Sequence, residues 1–217
     1  MAQVEDEPLG ILESQYGKSS GGNMLYNQEG EVMRGAVNVY LIFYGRKWRP
    51  EKRFKIENFV KNLDKSSYFS IIKNYYDKKG NVTGPLILKP STWLDYEYGK
   101  QITVKDLVKL MLQVYPTIDY NGIYTFLTDS ETEVSHSNTR RFCKEFCGFH
   151  TIFDNRKIAF VGDCGNCEEC APFADSPNFD RSTDGIINIL AHEIVETLSN
   201  PDTGRSTWID SDKLEVI

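Results

Sequence analysis

No run of apolar residues approaches the ~18 that a membrane-crossing helix requires, so no such helix is expected. Internal repeats and low-complexity tracts are also missing. So are the G-x-S-x-G, G-x-x-x-x-G-K-[ST] and G-x-G-x-x-G signatures of a serine nucleophile elbow, a phosphate loop and a dinucleotide fold. Basic residues number 25 against 31 acidic ones, a net charge of -6, which argues against a nucleic-acid binder. The opening MAQVEDEPLGILES has acidic residues where a signal peptide would carry basic ones, and no apolar core follows them. Histidine is scarce, with three in 217 residues (His136, His150, His192), so each one merits scrutiny. What remains is ordinary for a folded protein, with 40% hydrophobic, 12% aromatic and 26% charged residues. The length is enough to bury a real core.

The pattern along the chain alternates strands and helices. Residues 1–34 are polar and glycine-bearing and read as an N-terminal arm; 35–217 read as a single domain, since no linker interrupts the pattern. Ala36 to Tyr44 (AVNVYLIFY) predicts a central strand covered on both faces. Pro50 opens a helix with the stripe Ile56, Phe59, Val60, Leu63. A second helix is expected to bury Tyr68, Ile71, Ile72 and Tyr75, and Val82 to Leu88 reads as a strand interrupted by Gly84-Pro85. Thr103 and Asp106 resemble a capping box before Leu107, Leu110, Met111 and Val114. Gly122 to Thr128 reads as a second buried strand, and residues 148–161 as a hairpin about Asp154-Asn155. A last helix runs from about Thr183 to Ser199. The sum is an α/β (α+β) fold, a mixed sheet with helices packed on it.

Charge is uneven. Arg46 to Lys79 holds 11 basic and 4 acidic residues, a local net of +7. This is either the solvated face of two helices or a surface for an anionic ligand such as a phosphate or polysaccharide. Asn81-Val82-Thr83 is an N-glycosylation sequon, which matters only in a secreted chain.

All five cysteines lie in one stretch: Cys143, Cys147, Cys164, Cys167 and Cys170. Their spacing fits either local disulfides in an oxidising compartment or a structural zinc knot, and an odd count leaves one without a partner.

The last predicted helix carries His192-Glu193-Ile194-Val195-Glu196. His192 and Glu196 are one turn apart and stack on one face. The spacing copies the zincin H-E-x-x-H helix, in which the first and last residues grip zinc and the intervening Glu is the general base. A carboxylate replaces the second histidine here, and carboxylate oxygens do bind zinc. On this reading His192 and Glu196 are metal ligands and Glu193 is the catalytic base. The plain alternative is a surface helix with charged residues on the face opposite the stripe Ile187, Leu190, Ala191, Ile194, Leu198. If that face is functional, it is expected to point into a cleft.

The stretches N-V-Y-L-I-F-Y-G (Asn38–Gly45), G-I-Y-T-F-L-T (Gly122–Thr128), F-C-K-E-F-C-G-F-H (Phe142–His150), C-A-P-F (Cys170–Phe173) and D-G-I-I-N-I-L-A-H-E-I-V-E-T-L-S-N-P (Asp184–Pro201) resemble the EXORDIUM, or phosphate-induced protein, family. The resemblance covers roughly residues 16 to 217. It implies a secreted, cell-wall-associated protein tied to growth and acting by binding, with a cell-wall polysaccharide or a protein as partner. The alternative is a zinc-dependent metallopeptidase or the vestige of one. A secreted home favours disulfides over a zinc knot. Against the family pattern the leader is missing, Cys164 is additional, and the chain stops where a W…E-[IV]-x-D-x-C segment would supply its Asp and Cys. That Asp would be a third metal ligand and that Cys a sixth cysteine. Within this chain, His150 or a carboxylate near Glu215 is the candidate to complete a zinc shell with His192 and Glu196.

Overall fold

The computed structural model describes residues 11–14, 26–27, 29–165, 167–171, 176–205 and 207–209. In chain order these form β1 (Ile11–Ser14), β2 (Tyr26–Asn27), β3 (Val37–Tyr44), α1 (Pro50–Leu63), α2 (Ser67–Ile72), β4 (Tyr76–Asp77), β5 (Gly80–Asn81), β6 (Leu86–Leu88) and β7 (Thr92–Leu94). They continue with β8 (Gln101–Thr103), α3 (Val104–Val114), β9 (Gly122–Thr128), β10 (Glu133–Ser137), β11 (Arg140–Arg141), β12 (Gly148–Phe153), β13 (Arg156–Gly162), α4 (Arg181–Ser199) and β14 (Trp208–Ile209).

The main sheet has the order β1-β12-β13-β9-β3-β6, with β7 pairing the far end of β3. Strands β13, β9, β3, β6 and β7 are mutually parallel, whereas β12 and β1 add an antiparallel edge. The two strands expected at the centre are direct neighbours, with Asn38 beside Gly122 through Tyr44 beside Thr128. Helices α1, α2 and α4 cover one face, where Val39, Leu41, Phe43, Ile123 and Val161 meet Ile56, Val60, Ile189, Leu190 and Ile194. Helix α3 covers the other, where Ile42, Tyr44, Tyr124 and Phe160 meet Leu107, Val108 and Met111. Burial on both faces is why β3 is almost wholly apolar.

The capping box is present: Thr103 accepts from the Asp106 N–H, and Asp106 from the Thr103 N–H. In the β12–β13 turn, Asp154 and Asn155 both take positive φ, 48° and 59°, as a tight hairpin demands.

Three expectations are refined. Helix α2 ends at Ile72, and it buries Phe69 and Ile72 while Tyr68 and Ile71 stand exposed. Of the expected stripe Ile72 and Tyr75 are buried, and Phe69 takes the place of Tyr68 and Ile71 where α2 packs under α4. Of the strand expected over Val82–Leu88 with its interruption at Gly84-Pro85, the part after the proline, Leu86–Leu88, joins the main sheet. The N-terminal stretch is more engaged than an arm: β1 pairs β12, Val32 and Met33 are buried, and the Met33 N–H donates to the Leu198 carbonyl at 2.8 Å.

The cysteines form two disulfides, Cys143–Cys167 and Cys147–Cys170, with Cα separations of 5.4 and 5.3 Å. Cys164 is free and buried. Pairing between the two sequence clusters overturns the zinc-knot alternative, since the thiolates it needs are consumed.

A buried histidine–carboxylate site on the last helix

Helix α4 starts at the N-cap Asp180, whose carboxylate accepts from the Thr183 N–H and hydroxyl. From Glu193 to Ser199 every residue is buried, because this half of the helix is enclosed by β12 and β13 on one side and α1 and α2 on the other. Neither the exposed face of the plain alternative nor an open cleft receives the glutamates: Glu193 is 0% and Glu196 7% accessible. Only His192 keeps partial exposure, with 37% of its side chain accessible.

The carboxylates turn toward β12. Gly148 and His150 project from one face of that strand. A Cβ on Gly148 would lie 2.6 Å from Glu193 Oε1 and 2.6 Å from an Ile189 methyl, so glycine lets α4 seat directly on the strand. His150, wholly buried, then faces both glutamates: its Nδ1 is 3.4 Å from Glu196 Oε2 and 3.7 Å from Glu193 Oε2. His150 Nε2 lies 3.1 Å from the Asn200 carbonyl oxygen. A carbonyl can only accept, so Nε2 carries a proton and Nδ1 is the atom presented to the carboxylates.

One ligand atom each from His150, Glu193 and Glu196 lie within 4.8 Å of one another. His192 is not in that group; its Nε2 contacts the other Glu196 oxygen, Oε1, at 2.9 Å. The structure thus brings together His150, His192, Glu193 and Glu196 of the sequence candidates, but sets Glu193 beside the ligand atoms and His192 behind Glu196. Glu215 lies outside the described residues. His136 sits on β10, in a different sheet.

Electrostatics separate the two glutamates. Burial, reinforced by the charge of Glu196, pushes the Glu193 carboxyl up. Burial acts the same way on Glu196, but its contacts with His150 and His192 outweigh it and hold the carboxyl down at about 2. For His192, burial opposes the charged form, yet Glu196 and Glu193 prevail and raise it to about 9. Both Glu193 oxygens are buried and accept no hydrogen bond among the described residues. A buried carboxylate in that position is costly unless a proton or a cation meets it.

Asn200 is the participant that sequence reasoning missed. Wholly buried, it orients His150 through its carbonyl, while its side-chain Oδ1 accepts from the Thr207 and Trp208 N–H groups at 2.6 and 2.8 Å. The available signal was its place just after the helix and just before Pro201.

Fold and site define a disulfide-bonded α/β protein with a buried histidine–carboxylate group on its last helix. The conserved region of phosphate-induced protein 1 matches residues 25–214, and the chain belongs to that family. It is 26% identical over 223 aligned positions to Protein EXORDIUM-like 5 of Arabidopsis thaliana, covering 85% of this chain and 60% of the relative. It is 28% identical over 209 positions to Protein EXORDIUM-like 3 of the same plant, covering 79% and 60%. The chain thus spans about three-fifths of the length of these relatives. No solved structure matches it.

Proposed function

We propose that this is an extracellular, cell-wall-associated, growth-related protein that acts by binding, and that His150, Glu193 and Glu196 hold a divalent cation joining α4 to the sheet. Family membership and two disulfides support the extracellular setting. The observation that carries the cation is the pair of Glu193 oxygens, buried and without a hydrogen bond among the described residues, next to an imidazole nitrogen and a second carboxylate. Zinc suits one imidazole and two carboxylates. The Asn200 carbonyl would orient the ligating His150, as outer-shell acceptors of ligating histidines do. The cation would take the place of the proton that burial otherwise favours on Glu193.

Burial also separates this reading from the peptidase. A hydrolytic zinc keeps an open position for water and substrate, whereas Glu193 is wholly enclosed. Metal analysis and thermal melts of the zinc-loaded protein test the reading. We expect about one equivalent of zinc and a melting temperature that rises with free zinc, because a ligand of the folded state stabilises it by mass action. His150→Ala and Glu196→Gln should abolish both effects. His192→Ala should lower zinc affinity less, since His192 touches Glu196 and not the ligand group. Absence of zinc after loading, with no shift in melting, defeats the cation; cleavage in a peptide library that is lost in Glu193→Gln establishes the peptidase instead.

A further inference from the structure

Beyond the carboxyl ends of β3, β9 and β13 lies a cleft of about 1140 Å³, lined by the β3–α1 loop, Ser130, Asp163 and the start of α4. Ligands of open parallel sheets lie beyond the carboxyl ends of the strands, at the point where connections leave to opposite faces. Strand β3 is such a point, since α1 follows it on one face and α3 leads to its other neighbour, β9, on the opposite face.

Six cations line this cleft, Arg46, Lys47, Arg49, Lys52, Lys55 and Arg181, against three carboxylates, Glu51, Asp163 and Asp180, so the lining is net cationic. Lys52 belongs to the floor. It is buried against Asp163 at 2.5 Å and the Ser182 hydroxyl, beneath the Trp48 ring. The rim cations are differently engaged. Arg49 makes no ion pair among the described residues, and Lys55 donates to the Asn178 carbonyl at 3.2 Å and lies within the field of Asp180. Arg46 and Lys47 meet Asp95 and Glu131 in exposed pairs, which exchange readily for another anion. Four of the cations, Arg46, Lys47, Arg49 and Lys55, belong to the β3–α1 loop and α1, and Arg181, which donates to the Ala171 carbonyl, stands at the start of α4. Charges carried by several residues can meet more than one anionic group, and no phosphate-binding glycine loop accompanies them.

An apolar element faces the same space. Phe179 is 98% exposed and holds a positive φ of 55°, which bulky residues avoid. Its neighbours pin it there. The Asn178 N–H donates to Asp184 at 3.0 Å, the Asp180 N–H to the Ser176 hydroxyl at 2.9 Å, and the Phe179 N–H to the Ser176 carbonyl at 2.9 Å. The backbone is held there, and the ring itself is left in water. It can stack on the C–H face of a sugar ring that reaches the cleft.

We propose that this cleft binds an oligosaccharide bearing carboxylates, with the rim cations on the carboxylates and Phe179 on a ring face. The proposal deepens the binding reading above by naming its ligand class, and it does not involve the cation at His150. Titration calorimetry on the full chain tests it with a hexamer of galacturonic acid, its fully methyl-esterified form and inorganic phosphate. We expect binding of the acid hexamer that weakens with salt, and binding of the neutral ester weaker by about tenfold or more. Phosphate should fail to displace the hexamer. Phe179→Ala should weaken binding several-fold with an unchanged melting temperature, and Arg49→Gln with Lys55→Gln should flatten the salt dependence. Equal affinity for acid and ester, displacement by phosphate, full affinity in Phe179→Ala, or no binding of the acid hexamer overturns the proposal. Zinc content of the same samples reads the His150 site separately, so the two readings fail independently.

Discussion

Asp77, in the short β4–β5 hairpin, accepts from the Val32 and Lys79 N–H groups at 2.9 and 2.7 Å and pairs with Arg34. Burial alone would raise its carboxyl; the two N–H groups and the guanidinium outweigh that and hold it below its ordinary 3.8. A carboxyl that binds its proton less readily when folded stabilises the protein fully above its unfolded value and loses that contribution as pH falls through the folded one. Asp77→Asn should therefore cost roughly 1–3 kcal/mol near neutral pH. Its melting temperature should converge on that of the parent as the pH drops well below 3.8. A difference that stays constant across an acid titration would mean that packing, and not charge, is what Asp77 supplies. The same residue shows how tightly the segment before β3 is held, since Val32 is tied to a hairpin 45 residues downstream.

At the scale of elements, β3 is the strand on which the sheet depends. It pairs β9 along its whole length and both β6 and β7 on its other side. Ile42 is fully buried among Tyr44, Phe126, Leu107 and Met111 under α3. Ile42→Asp places a charge there with no partner, a cost of several kcal/mol that a domain of this size does not absorb. We expect insoluble protein or a melt without cooperativity; a soluble variant with a sharp transition would show that the α3 face is not the packed core described above. Helix α4 behaves differently from the amphipathic helix its stripe suggests. Its first half buries Thr183 to Ile186, Ile189 and Leu190 and exposes Asn188, whereas from Glu193 to Ser199 every residue is buried. A one-face reading of H-E-x-x-E therefore fails within the motif itself: the His192 side chain is 37% accessible, while Glu193 and Glu196 turn inward to His150.

For the whole molecule, the two disulfides fasten the Cys143–Cys147 segment to the Cys167–Cys170 segment beneath α4. Each closes a loop with a sequence separation of 24 or 23 residues, worth about 3 kcal/mol in the chain-entropy account. The remaining thiol, Cys164, is buried and pushed up to about 12 by burial and by the neighbouring Asp163, so the reactive thiolate is scarce. Alkylation of native protein made through the secretory route should label none of the five cysteines rapidly. Denaturation without reductant should expose one, Cys164, and peptide mapping should find Cys143 with Cys167 and Cys147 with Cys170. Three or more thiols under those conditions would contradict this pairing. Reduction should lower the melting temperature of the whole domain, because both bridges join segments that contact the same core.

Local pattern determined a large part of this protein. The apolar run of β3, the 3.6-residue stripes of α1 and α3, the Thr103–Asp106 cap and the Asp154-Asn155 turn each depend on neighbours within a few residues, so periodicity and turn chemistry sufficed to place them. One-turn spacing likewise sufficed to put His192 against Glu196. The extent of α2 escaped that reading, since Phe69 is chosen over Tyr68 and Ile71 by contacts with a helix more than 100 residues away. Cysteine pairing was open to several connectivities, and only the approach of two segments selects among them. The histidine–carboxylate group is the clearest case. Its members come from β12, α4 and the residue after α4, and a glycine at 148 permits their approach. Burial raises both carboxyls, and the contacts of Glu196 with His150 and His192 set it apart from Glu193; the burial and the His150 contact exist only once the helix has docked on the sheet.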